Sequence, residues 1–207
     1  MSDTYNSWIT DFGLCKPITA NHAEKVVYGV LPYVAPEVVK GGEHTEASDV
    51  YFFGIIMSEL LSGYPPYHNV AHDSDLALRI CQGLKPISSE IRRGIPQLLL
   101  DLMNRCLHID SLERQSSAQV QNSVYYYLIN CADTSTEIGK QIDAAINSNI
   151  SYPKYDPTTC TKHPSTCYTS RRLDYKDLRN SVSLASLATM KNEFVIPDDL
   201  TFGDETQ

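Results

Sequence analysis

Three carboxylates in this 207-residue chain stand beside residues that shape a backbone. Asp11 precedes Phe12 and Gly13, Glu37 follows Ala35 and Pro36, and Asp49 heads the run Val50-Tyr51-Phe52-Phe53-Gly54. A carboxylate can ligate a hard cation such as magnesium, which prefers oxygen. It can also pair with arginine through two parallel hydrogen bonds. A softer set, Cys160, His163 and Cys167, brings three zinc-type ligands close in sequence, but a zinc site needs a fourth. That stretch reads as a polar loop. The six cysteines are scattered without a CxxC pair, so they read as reduced thiols.

The elements that must position these groups are mostly helical. Trp8-Ile9-Thr10 reads as the end of a strand running into Asp11-Phe12-Gly13. Residues 14–29 are loop-like. Ala35-Pro36-Glu37-Val38-Val39 predicts a short helix with Pro near its start, ended by Gly41-Gly42. Thr45 or Ser48 can cap the next helix. That helix, Val50 to Leu61, is apolar nearly all round, which predicts burial on every side and a central place in the fold. Amphipathic spacing predicts helices over 73–83, 96–107 and 117–130, the last with Val120, Val124, Tyr127, Leu128 and Ile129 inward. A weaker stripe of Ile138, Ile142, Ala145 and Ile146 predicts one over 137–147. From Ser151, prolines and Ser/Thr predict a tail that is extended, lightly docked or disordered.

Composition narrows the function classes. A net charge of -8 argues against nucleic-acid binding through a basic field and against attachment to an acidic membrane. No apolar run reaches bilayer-spanning length, and Met1 to Asn6 does not resemble a signal peptide, so the expected location is cytoplasmic.

Taken in order, Asp11-Phe12-Gly13, Ala35-Pro36-Glu37 and Asp49 to Gly54 resemble the second half of a protein kinase domain, over residues 8 to about 130. The wording from Gly29 to Glu37, and Ile55 to Leu60 after it, resembles the tyrosine-kinase-like group as expanded in some fungi. The phrase from Tyr168 to Asp174 resembles tails in those sets. The resemblance implies a mainly α fold, with C-lobe helices around a central buried helix, an activation segment and an irregular tail. It divides the chain into a partial kinase domain (1–130), an extra helix (131–150) and a Ser/Thr-rich tail (151–207).

It also implies roles. Asp11 would ligate the magnesium that neutralises ATP phosphates, with Phe12 and Gly13 shaping that loop. Glu37 would pair with Arg114, and Asp49 would anchor the catalytic loop through backbone N–H groups. Thr19 and Tyr28 are the candidate phosphate acceptors of the activation segment. The chain departs from the family at Leu107, where Trp is usual, and at Ser111 and Gln115, where Pro is usual.

Several family parts have no counterpart here. The sequence holds no Gly-x-Gly-x-x-Gly loop, no Val-Ala-Ile-Lys strand and no His-Arg-Asp loop ahead of Asp11. His108-Ile109-Asp110 follows Asp11-Phe12-Gly13 instead of preceding it. Val30, where Ser/Thr kinases carry Thr, and the lack of the tyrosine-kinase Pro-x-x-Trp phrase leave a lean towards Ser/Thr specificity. The expectation is a truncated protein kinase family member that acts on proteins in its parent form but does not catalyse alone. The alternative is a pseudokinase-like module that binds a kinase or its substrates. The central helix would also lack the helix that precedes the catalytic loop. Three or four apolar side chains, each worth about 1.5–3 kcal/mol on full burial, would lose cover. That rivals a typical domain stability of about 5–15 kcal/mol, so a marginal or partner-dependent lobe is expected.

Overall fold

The computed structural model describes residues 27–87, 94–148 and 162–173. The expectations placed on Trp8 to Thr10, Asp11, Phe12, Gly13, Cys15, Thr19 and Cys160 lie outside them. The described chain is mainly helical. In order it runs β1 (Val27–Gly29), a 3₁₀ turn (Leu31–Tyr33), α1 (Pro36–Val39), α2 (Glu46–Ser62), α3 (Ser74–Cys81), α4 (Gln97–Cys106), a second 3₁₀ turn (Ser111–Glu113), α5 (Ser117–Asn130), α6 (Glu137–Asn147) and β2 (Arg171–Leu173).

Local chemistry accounts for the ends of these elements. Pro36 opens α1, where a missing N–H costs nothing. Gly41, at φ 87°, closes it by donating to the Val38 carbonyl at 2.9 Å, while Gly42 donates to the Glu37 carbonyl at 2.8 Å. This double bond is the left-handed helix stop that glycine permits. Thr45 and Ser48 both serve at the start of α2, each side chain accepting from the other's backbone N–H. Gly63 ends α2 at φ 73°. Ser116 and Gln119 cap α5 in the same reciprocal way.

The core forms where α1, α3, α4 and the Leu31–Tyr33 turn meet α2. Leu31, Val38, Ile55, Leu76, Ile80 and Met103 are its closed-off centre. A second cluster joins Val50 of α2, Leu102 and Cys106 of α4, and Val120 of α5. Gly54 lets α2 and α4 approach closely: a Cβ there would lie 2.9 Å from Cβ of Cys106 and from Cγ of Leu107. Gly54→Ala therefore overpacks this contact, at about 1–3 kcal/mol. Improved helix preference returns at most about 1 kcal/mol. A lower urea midpoint is the expected result, and a raised midpoint would show that the contact yields freely.

Two expectations about burial require correction. α2 is central but not covered on every side: Phe52 is 45% and Leu60 78% exposed. The described neighbours cover the side bearing Val50, Tyr51, Ile55 and Ser58, and an apolar helix surface stays open where no described neighbour packs on it. α5 likewise buries only Val120. Leu128 and Ile129, read as inward, are 68% and 59% exposed. Its run Tyr125-Tyr126-Tyr127-Leu128-Ile129 spans more than one helix face, and the contact with α2 and α4 uses one of them.

Part of the 151–207 segment takes the docked alternative. Residues 162–173 lie along the loop after α2, and β2 pairs antiparallel with β1, Val27 opposite Leu173, Tyr28 opposite Arg172 and Gly29 opposite Arg171. Leu173 joins the main core.

Candidate functional site

The sharpest polar constellation centres on Arg114. The turn Ser111–Glu113 begins where Asp110 Oδ1 accepts from the Leu112 N–H at 2.9 Å. The chain then extends, which aims Arg114 back under α1. Its Nη1 and Nη2 each donate to one carboxylate oxygen of Glu37, both at 2.7 Å. Nη1 also donates to the Ala47 carbonyl at 2.8 Å, Nε to the His108 carbonyl at 2.8 Å, and Nη2 to the Ile109 carbonyl at 3.4 Å. All five guanidinium N–H groups are thus used, the full capacity of the side chain. Beneath it lies the Tyr51 ring, 5.0 Å from the guanidinium carbon to the centroid, a cation–π placement. Burial pushes the Tyr51 hydroxyl well above its usual range, although Arg114 pulls the other way.

Charge and geometry make this a structural joint rather than a reactive centre. Both Glu37 oxygens accept from the Arg114 fork, which holds the carboxylate as one half of an ion pair. The joint instead ties α1, the start of α2 and the turn after α4 to one another. Gln115, the next residue, buries its Oε1 without a donor among the described residues. His108-Ile109-Asp110 supplies two carbonyls to Arg114, and the Asp110 N–H donates to the His108 ring at Nδ1, 3.2 Å away.

The segment ahead of α1 is fastened separately. The Tyr33 hydroxyl donates to Glu59 Oε2 of α2 at 2.6 Å, and its ring tilts against Phe52 at 5.8 Å between centroids. Burial first, then the bond to Glu59, pushes that hydroxyl far up. Composition and motif spacing do not single out Tyr33, Glu59 or Tyr51; only an apolar face interrupted by one carboxylate at Glu59 hints at them.

The remaining expected residues lie apart. Asp49 is exposed in the first turn of α2, with no side-chain hydrogen bond among the described residues. Tyr28 is 47% exposed on β1. Among the described residues no group of three or more His, Cys, Asp or Glu side chains could hold a metal ion. His163 Nδ1 accepts from the Ser165 N–H, and Cys167 Sγ lies 3.2 Å from Thr169 Oγ1. Burial lifts the thiols of Cys81 and Cys106 to about 11 each, so both stay protonated at neutral pH.

Comparison with known proteins places this arrangement. The protein kinase domain profile matches residues 1–126, more than half of the chain. The chain belongs to the protein kinase family. It is 29% identical over 154 residues to a protein kinase and PP2C-like domain-containing protein of Oryza sativa subsp. japonica, covering 68% of this chain and 23% of that protein. It is 32% identical over 129 residues to a Raf homolog serine/threonine-protein kinase of Caenorhabditis elegans, covering 58% of this chain and 16% of the relative. With the serine/threonine-protein kinase Sgk1 of Bos taurus it shares 30% identity over 198 residues, covering 92% of this chain and 44% of the relative. The chain therefore spans less than half the length of each of these proteins. Protein kinases use ATP and magnesium. Asp11, Phe12 and Gly13 lie outside the described residues. No described helix is long and apolar enough to cross a membrane.

Proposed function

We propose that this chain supplies the helical C-terminal lobe of a tyrosine-kinase-like protein kinase, whose full catalytic domain transfers phosphate from ATP to serine or threonine of proteins. The observation that carries this reading is the Glu37–Arg114 joint, which fastens the Ala35-Pro36-Glu37 turn to the head of α2. Such a joint holds the end of an activation segment against a rigid platform. In this reading Asp11 is the magnesium position, Phe12 and Gly13 shape its loop, Asp49 anchors the catalytic loop, and Thr19 and Tyr28 accept regulatory phosphate. Phosphoryl transfer depends almost wholly on positioning and charge stabilisation. Within these 207 residues no Gly-rich loop, Val-Ala-Ile-Lys strand or His-Arg-Asp loop supplies them, so the chain by itself does not catalyse. The full kinase acts on proteins in the cytoplasm, not on nucleic acid or in a membrane.

A thermal-shift titration with magnesium and ATP tests this. The expected outcome is no saturable stabilisation of the 207-residue chain. A saturable shift that Asp11→Ala abolishes would overturn the non-catalytic part of the reading.

The exposed apolar residues Phe52 and Leu60 on α2, with Leu128 and Ile129 on α5, favour a second reading. Apolar surface of this kind marks interaction sites. A non-catalytic module could bind a kinase or its substrates there. Transcript sequence ahead of Met1 separates the two: an in-frame His-Arg-Asp segment and Gly-rich loop support the enzyme, and a stop codon supports the module.

A further inference from the structure

Residues 162–173 cross the lobe as a strap that turns at His163–Thr166 and then extends, with anchors that are mostly backbone groups of residues 66–72. The His163 N–H donates to the His68 carbonyl at 3.0 Å, and the His72 N–H to the Ser165 carbonyl at 3.3 Å. The Tyr168 hydroxyl donates to the Pro66 carbonyl at 2.9 Å, and the Arg171 guanidinium donates to the His72 carbonyl. The His72 ring is buried beneath the strap, 4.8 Å from the Tyr168 ring in an edge-on contact. Its Nδ1 accepts from the Cys167 N–H at 3.0 Å, which leaves Nε2 to donate to the Tyr67 carbonyl at 3.2 Å. The strap ends by pairing Arg171–Leu173 with Val27–Gly29.

We infer that residues 162–173 are the lobe's own ligand in a strand-pairing groove formed by β1 and residues 66–72. An extended peptide with a tyrosine three residues ahead of Arg-Arg-Leu, supplied from outside, takes the same place. A short strand edge offers unpaired N–H and C=O groups to any extended chain, while alternate side chains select which chain fits. Here the selecting contacts are visible: Leu173 enters the core beside Val27, Tyr168 reaches Pro66 and Arg171 reaches His72. The hold is shallow, because Leu173 is the strap's only buried residue among those described. Ordering the segment costs conformational entropy at every residue, and a single buried side chain, with hydrogen bonds that water can replace, offsets only part of it. The strap can therefore leave and return. While closed, it lowers the apparent affinity for an outside peptide by the fraction of lobe left open. The inference stands on residues 27–29, 66–72 and 162–173 and does not require nucleotide or phosphate transfer.

The test uses a fluorescent peptide with the sequence of residues 162–173, titrated by anisotropy into the full chain. Wild type, Leu173→Asp and Tyr168→Ala are compared, with circular dichroism confirming fold. Weakening the resident strap opens the groove, so Leu173→Asp protein is expected to bind the peptide about tenfold more tightly than wild type. Tyr168→Ala, which leaves the core intact, is expected to gain about threefold by the same arithmetic. A peptide carrying the Leu173→Asp change should bind neither variant. Wild-type affinity in the folded variants, or no binding of the unmodified peptide to Tyr168→Ala protein, would overturn the inference. If Leu173→Asp does not fold, Tyr168→Ala alone decides.

Discussion

Arg114→Ala is expected to lower the unfolding free energy by about 3–5 kcal/mol, the usual cost of breaking a buried ion pair. The side chain of Arg114 is 0% exposed and that of Glu37 24% exposed, so water can reach the orphaned carboxylate and the lower end of that range applies. Beyond Glu37, the carbonyls of Ala47, His108 and Ile109 lose their donor together. Arg114→Lys is not a rescue, because an ammonium cannot span both carboxylate oxygens and three carbonyls at once. It should recover less than half of the loss. Urea unfolding of the two variants and of Glu37→Gln checks this. A change below about 1 kcal/mol for Arg114→Ala, the scale of a surface pair, would mean that the joint is idle.

The second large effect lies on α2. Ile55 is 0% exposed at the centre of the main core, and Ile55→Ala should cost about 2–5 kcal/mol by lost transfer energy and the cavity left behind. Leu60, one and a half turns further on, is 78% exposed, and Leu60→Ala should stay within about 0.5 kcal/mol of wild type. Both residues look alike in sequence, so the pair measures directly which side of the helix has neighbours. Equal losses at both positions would show that something covers Leu60 in solution.

Much of the helical frame was legible in the chain. Pro36, Gly41, Thr45 and Ser48 act through rules that reach only a few residues, and they mark both ends of α1 and the start of α2 where the structure has them. α3 to α6 follow from apolar spacing for the same reason. Which face each helix buries was less legible. Spacing says that Val124, Tyr127 and Leu128 share a surface with Val120, but only the placement of α2 and α4 decides how much of it is covered. The polar site divides similarly. Glu37 and Arg114 are 77 residues apart and no local pattern links them; the family resemblance is what names them together. Tyr51, Ala47 and Ile109 join the site through a ring face and two carbonyls, features that residue type does not announce. The strap was the least legible element. Its contacts with His72 and Pro66 span 95 and 102 residues, and its residues are mostly polar.

The span of the Arg114 contacts carries a kinetic consequence. Its bonds to Ala47 and Glu37 close loops of 67 and 77 residues, and they need α1, α2 and the turn after α4 already in place. Contacts that require several finished elements are expected to form late, after the rate-limiting step, and the refolding and unfolding rates of Arg114→Ala test this. Their loss falls on the unfolding limb of a chevron and leaves the refolding limb nearly unchanged. At the lower end of the expected loss, about 3 kcal/mol, the native state would open more than a hundredfold faster while refolding as before. On this expectation Arg114 sets how long the folded lobe persists more than how quickly it is made.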